Sequence, residues 1–128
     1  MKHQKFSLSN RLKSFSYAFN GLKILIKEEH NARIHLFAAI VVVMAGFIFK
    51  ISVNEWFVVL LAIGFVMVVE IINTAIESIA NIISPEKDKR IKKIKDLSAA
   101  AVLISALTAL VIGSIIFIPK LLNLICCF

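Results

Sequence analysis

Within an otherwise apolar run, Glu70, Asn73, Thr74, Glu77 and Asn81 recur at helical spacing. At roughly 100° per residue they fall within an arc of about 100°, so one stripe of the rod is polar and the rest is not. A carboxylate inside a bilayer costs roughly 2.5–3.5 kcal/mol even on a lenient insertion scale, and two on one stripe call for a compensating partner. Interhelical hydrogen bonding is the plain compensation, and chemistry is the other. Glu70 and Glu77 are separated by about 10 Å of helical rise, enough for one to meet a lipid headgroup and the other a water-soluble reactant. Glu29 and the pair Lys95-Asp96 are placed to reach the same level. Carboxylates and a lysine at one membrane surface are the parts needed to hold Mg²⁺ on a polyphosphate, neutralise its charge and deprotonate a hydroxyl. Taken alone, Glu29 with Arg33 is an ordinary surface pair, and Lys95-Asp96 an ordinary solvated charge run.

Two other functions use such residues. A small ion or proton carrier could employ Glu70 and Glu77 as relay groups. Against it, Pro85 and Pro119 sit at expected helix ends, and no interrupted mid-membrane helix or repeated half is visible. A non-catalytic assembly subunit would have no need of Lys95-Asp96 and Glu29. The chain lacks a GxxxxGK[ST] loop, so a nucleotide site has to be built from helix ends.

The elements that must position these groups follow from periodicity. Leu8, Leu12, Phe15, Phe19, Leu22 and Ile26 form one narrow apolar stripe, with Arg11, Lys13, Lys23 and Lys27 off it. An amphipathic helix over 6–28, lying in the headgroup layer, is expected. Three crossings are expected over 34–50, 55–83 and 97–118, with a charged cytosolic loop over 84–96. Ser84-Pro85 reads as a helix restart, with Ser as N-cap, and Pro119-Lys120 as the end of the third crossing. The fold class is therefore all-α integral membrane, in one domain spanning 1–128.

Of the 128 residues, 59% are hydrophobic, above the roughly 45–50% of soluble domains, so the net charge of +7 points to anionic lipid and not to nucleic acid. Seven Lys and Arg precede the first crossing and six lie between the second and third, whereas only Lys50 and Lys120 flank the other side. The positive-inside rule places the N-terminus and the charged loop in the cytosol and the C-terminus opposite, in a multi-pass protein of the cytoplasmic (inner) membrane. The first thirty residues contain no uninterrupted apolar stretch of the signal-peptide kind. Cys126 and Cys127 are adjacent and receive no redox role. His3, His30 and His35 show no metal-site spacing, and interfacial or hydrogen-bonded roles are expected of them.

The run Glu70-Ile71-Ile72-Asn73-Thr74-Ala75-Ile76-Glu77, followed by Lys95-Asp96 and Ala99-Ala100-Ala101-Val102-Leu103, resembles the signature of the small prokaryotic diacylglycerol kinase family, which includes undecaprenol kinases. The resemblance extends from about Arg11 to Ile118. It implies a homotrimer of three-crossing protomers with active sites shared between neighbours, and an ATP- and Mg²⁺-dependent phosphoryl transfer to the hydroxyl of diacylglycerol or a polyprenol. It also implies roles: Glu70 as the catalytic base on the lipid hydroxyl, Asn73 at the lipid end of the site, Glu29 and Glu77 as Mg²⁺ ligands that also contact ATP. Tyr17, Lys95 and Asp96 match nucleotide-contacting positions, as do, in a looser alignment, Arg11 and the Glu86-Lys87-Asp88 turn. The run Glu29-His30-Asn31-Ala32-Arg33-Ile34-His35 is closer to the undecaprenol kinases. Asn81 departs from the pattern, standing where many members carry aspartate, which leaves one carboxylate fewer beside the nucleotide.

Overall fold

The computed structural model describes residues 7–83 and 88–127. They form four helices: α1 (Leu8–Glu28), α2 (His30–Ile48), α3 (Val53–Ile83) and α4 (Lys89–Cys126). The last three are long and apolar enough to cross a membrane. Their outer faces carry Phe37, Phe47, Leu61, Ile82, Leu110 and Ile115, all more than half exposed, as expected of side chains facing hydrocarbon. The chain is an all-α protein with a surface helix and three membrane helices, the architecture that its periodicity predicts.

Helix α1 leaves its stripe of Leu8, Leu12, Phe15 and Phe19 exposed, with only Leu25 buried. A stripe that finds no core within its own chain suits the acyl boundary of a bilayer. One extended residue, Glu29 (φ −104°, ψ 112°), separates α1 from α2. The second helix therefore begins at His30, four residues before the expected first crossing.

The α2–α3 connection is a tight reversal. Lys50 adopts a left-handed conformation (φ 51°), its N–H donates to Phe47 O, and the Ile51 N–H donates to Gly46 O at 3.1 Å. This pairing closes α2 as a Schellman motif. Ser52 and Glu55 then start α3 with a reciprocal capping box: Ser52 N–H donates to Glu55 Oε1 at 3.0 Å and Glu55 N–H to Ser52 Oγ at 3.2 Å.

Helices α3 and α4 form an antiparallel hairpin that makes the largest interface, and α2 lies more lightly on α3. The core sits at the α2–α3 reversal, where Ile51, Val59 and Ile116 are buried with Trp56, Ile63 and Phe117 against them. Gly46 is required there. A Cβ at that position would lie 2.6 Å from Trp56 Cη2, so only glycine admits the indole.

Helix α4 differs from its expected extent at both ends. Residues 89–96 are helical and not a loop, because Asp88 caps the N-terminus by accepting from Arg90 N–H at 2.8 Å and Lys92 pairs with Asp96 four residues on. The proposed restart at Ser84-Pro85 lies outside the described residues. At the other end α4 passes through Pro119 and continues to Cys126. Proline removes one backbone N–H and crowds the carbonyl one turn earlier, costs that membrane helices tolerate through local adjustment of the helix.

Candidate active site

The polar stripe of α3 faces α2 and α4, away from lipid. Its centre is Glu70, only 1% exposed, and neither carboxylate oxygen has a hydrogen-bond partner. Burial of an acid without donors is costly, and native proteins tolerate few such groups. On α2, His35 Nε2 lies 3.7 Å from Glu70 Oε2. The carboxylates of Glu29 and Glu77 lie within electrostatic reach of the same group. Thr74, on the same stripe, spends its hydroxyl on the Glu70 carbonyl at 3.0 Å and does not point into the site.

One turn along, Asn73 is buried and its Oδ1 accepts from Ser98 Oγ of α4 at 2.6 Å. With the oxygen engaged, the side-chain NH₂ is the free face of that amide. Farther on, Lys95 Nζ donates to Asn81 Oδ1 at 2.6 Å. The departure from the family pattern thus has a structural consequence. A neutral amide holds Lys95 in place without cancelling its charge, as an aspartate would.

Glu29 and Glu77 are both half-buried. Glu29 sits at the α1–α2 break, and its side chain makes no cap hydrogen bond to α2. Among the described residues no group of three or more His, Cys, Asp or Glu side chains converges to hold a metal unaided. Mg²⁺ carried on a polyphosphate needs only one or two protein carboxylates, the rest of its shell being phosphate and water.

The remaining candidates are more peripheral in this chain. Asp96 is exposed and bonded to Lys92 at 2.6 Å. Asp88 serves as the α4 cap, and hydrogen bonds from Arg90 hold its carboxyl below the usual aspartate range. Tyr17 is 71% exposed on α1, and Arg11 lies on an exposed position of the same helix. Glu86 and Lys87 lie outside the described residues. Two groups that spacing alone missed are His35 and Ser98, each on a helix other than α3 and each against a stripe residue.

These groups, a central buried acid, two flanking acids and an anchored lysine, stand in a chain whose sequence matches a known family. The model of the prokaryotic diacylglycerol kinases matches residues 16–117. The chain belongs to the prokaryotic diacylglycerol kinase family. It is 35% identical over 120 residues to an undecaprenol kinase of Bacillus subtilis (strain 168), covering 94% of this chain and 98% of the relative. It is 34% identical over 116 residues to a diacylglycerol kinase of Synechocystis, covering 90% of this chain and 66% of that protein. A diacylglycerol kinase of Haemophilus influenzae is 27% identical over 111 residues, covering 86% of this chain and 94% of the relative. This member of the family is therefore a membrane lipid kinase, a transferase.

Proposed function

We propose that this kinase transfers the γ-phosphoryl group of ATP to the hydroxyl of a long-chain membrane lipid at the α2–α3–α4 site, with undecaprenol as the first candidate acceptor and diacylglycerol as the second. The observation that carries the reading is Glu70: a buried carboxylate with no donor to either oxygen, flanked by two more acids. An acid spent on structure would have donors; one kept for a hydroxyl proton would not. The match over nearly the full length of both chains to the B. subtilis undecaprenol kinase supports the order of acceptors.

In this reading Glu70 accepts the proton of the lipid hydroxyl. The oxygen forms a bond to the γ-phosphorus as the bond from that phosphorus to the β-phosphate oxygen breaks, and ADP leaves. Asn73, fixed by Ser98, presents its NH₂ at the lipid end. Lys95, fixed by Asn81, meets the charge that develops on the transferring group. Glu29 and Glu77 would hold Mg²⁺, which when bound supplies neutralisation of the polyphosphate. Tyr17, Asp96, Arg11 and the Glu86-Lys87-Asp88 turn border the nucleotide. A homotrimer, with neighbouring protomers completing each site, belongs to the same reading, and the distribution of basic residues supports a cytosolic N-terminus in the inner membrane.

The test is transfer of labelled phosphate from ATP, with and without Mg²⁺, by purified protein in mixed micelles offered undecaprenol or diacylglycerol separately. Preferential labelling of undecaprenol is expected, and labelling of neither lipid by folded protein would overturn the reading.

A further inference from the structure

The environment of His35 assigns a task to a residue that the reaction above does not use. Its imidazole is partly buried, with Nε2 3.7 Å from Glu70 Oε2. Among the described residues lining the groove beside it, no other side chain offers a competing partner. The ring lines one end of a groove of about 530 Å³ whose walls are otherwise apolar, from Ala38 and Val42 on α2 to Gly113 and Phe117 on α4. The one other polar side chain there, Ser114, has spent its hydroxyl on Leu110 O at 2.8 Å. On the carboxylate side, Glu70 has no hydrogen-bond donor at all. A ring N–H with one acceptor in reach and a buried acceptor with one N–H in reach are complementary. Closing the gap to a charge-assisted hydrogen bond takes a movement of roughly 0.8–1 Å.

We propose that His35 is the positioning residue of Glu70: its Nε2–H donates to one carboxylate oxygen and thereby fixes the orientation of the other, the oxygen that receives the lipid proton. The inference rests on Glu70 being the base. It needs no charge on the imidazole, since the neutral ring carries the required N–H.

The geometry gives a selective test. In Gln the side-chain nitrogen reaches as far as His Nε2, whereas in Asn it reaches only as far as Nδ1. His35→Gln is expected to keep turnover within a few-fold of wild type, while His35→Asn and His35→Ala lose on the order of 10–100-fold in kcat with KM for ATP unchanged. Equal activity of the Gln and Asn variants, or full kcat in His35→Ala, would overturn the assignment. Packing alone would also favour Gln over the smaller Asn, so His35→Met, which fills the same space without a donor, separates the two: it is expected to lose turnover like His35→Asn, and full kcat in His35→Met would overturn the assignment. A second reading needs no turnover: in protein labelled with ¹⁵N-histidine, the His35 Nε2 resonance moves on Glu70→Gln, and an unmoved resonance would also overturn it. If Glu70→Gln keeps full turnover, the base assignment fails, yet the resonance still reports whether the two side chains are bonded.

Discussion

Helix α3 carries one glutamate in its first turn, Glu55, and another at its middle, Glu70, and the two are treated in opposite ways. Glu55 accepts from Ser52 N–H at 3.0 Å and from Lys120 Nζ at 2.8 Å, so its charge is matched and its oxygens are occupied. Glu70, four turns along, is more deeply buried and has neither. The neighbourhoods differ in the same sense. Around Glu55 the chain is packed: Trp56 lies on Gly46, Phe47 stacks on the indole at 4.9 Å, and Phe49 meets Phe117 edge-on. Around Glu70 the helices bring together acids, an imidazole and amides whose hydrogen-bonding capacity is partly unused. The first-turn region holds the hairpin together. The other carries a standing energetic cost, which makes sense where a reactant completes the site.

Substitutions can sharpen or break this contrast. The largest effect is expected at Glu70→Gln, which should lower turnover by about 10²–10⁴, the range of a general base, without lowering the thermal midpoint. Lys95→Met should come next, with a loss of roughly 10²-fold in kcat/KM for ATP and little change in the lipid dependence, measured by varying each substrate in turn. Ser98→Ala strands the buried Asn73 oxygen. It should cost about 1–3 kcal/mol in denaturant titrations and weaken lipid use more than ATP use. At the packed end, Gly46→Ala drives a methyl into Trp56 and should destabilise by about 1–3 kcal/mol while the folded fraction keeps its turnover per molecule.

Much of this contrast could be read from spacing. Glu70, Asn73, Glu77 and Asn81 share a face because any helix of this sequence puts them there, and the apolar runs fixed three long membrane helices. Contacts between helices were not legible in the same way. That Ser98 meets Asn73 and Lys95 meets Asn81 depends on the register of an antiparallel hairpin, set by side-chain packing many residues away. That His35 faces Glu70 depends on the rotation of α2, which a helix with apolar residues on nearly every side does not reveal. The extent of α4 was missed because a charged run and a proline both read as interruptions. In the fold, the first is an ordinary helical turn with a cap and an i,i+4 pair, and the second is accommodated within the helix.

The most direct measurement takes Glu70→Gln and Glu55→Gln side by side, recording phosphate transfer from ATP to lipid and the thermal midpoint on the same preparations. The account predicts a crossed result: Glu70→Gln abolishes most transfer and leaves the midpoint unchanged or higher, while Glu55→Gln keeps transfer and lowers the midpoint. Transfer retained by Glu70→Gln, or lost equally in both variants, would contradict the division of α3 into a structural first turn and a reactive middle.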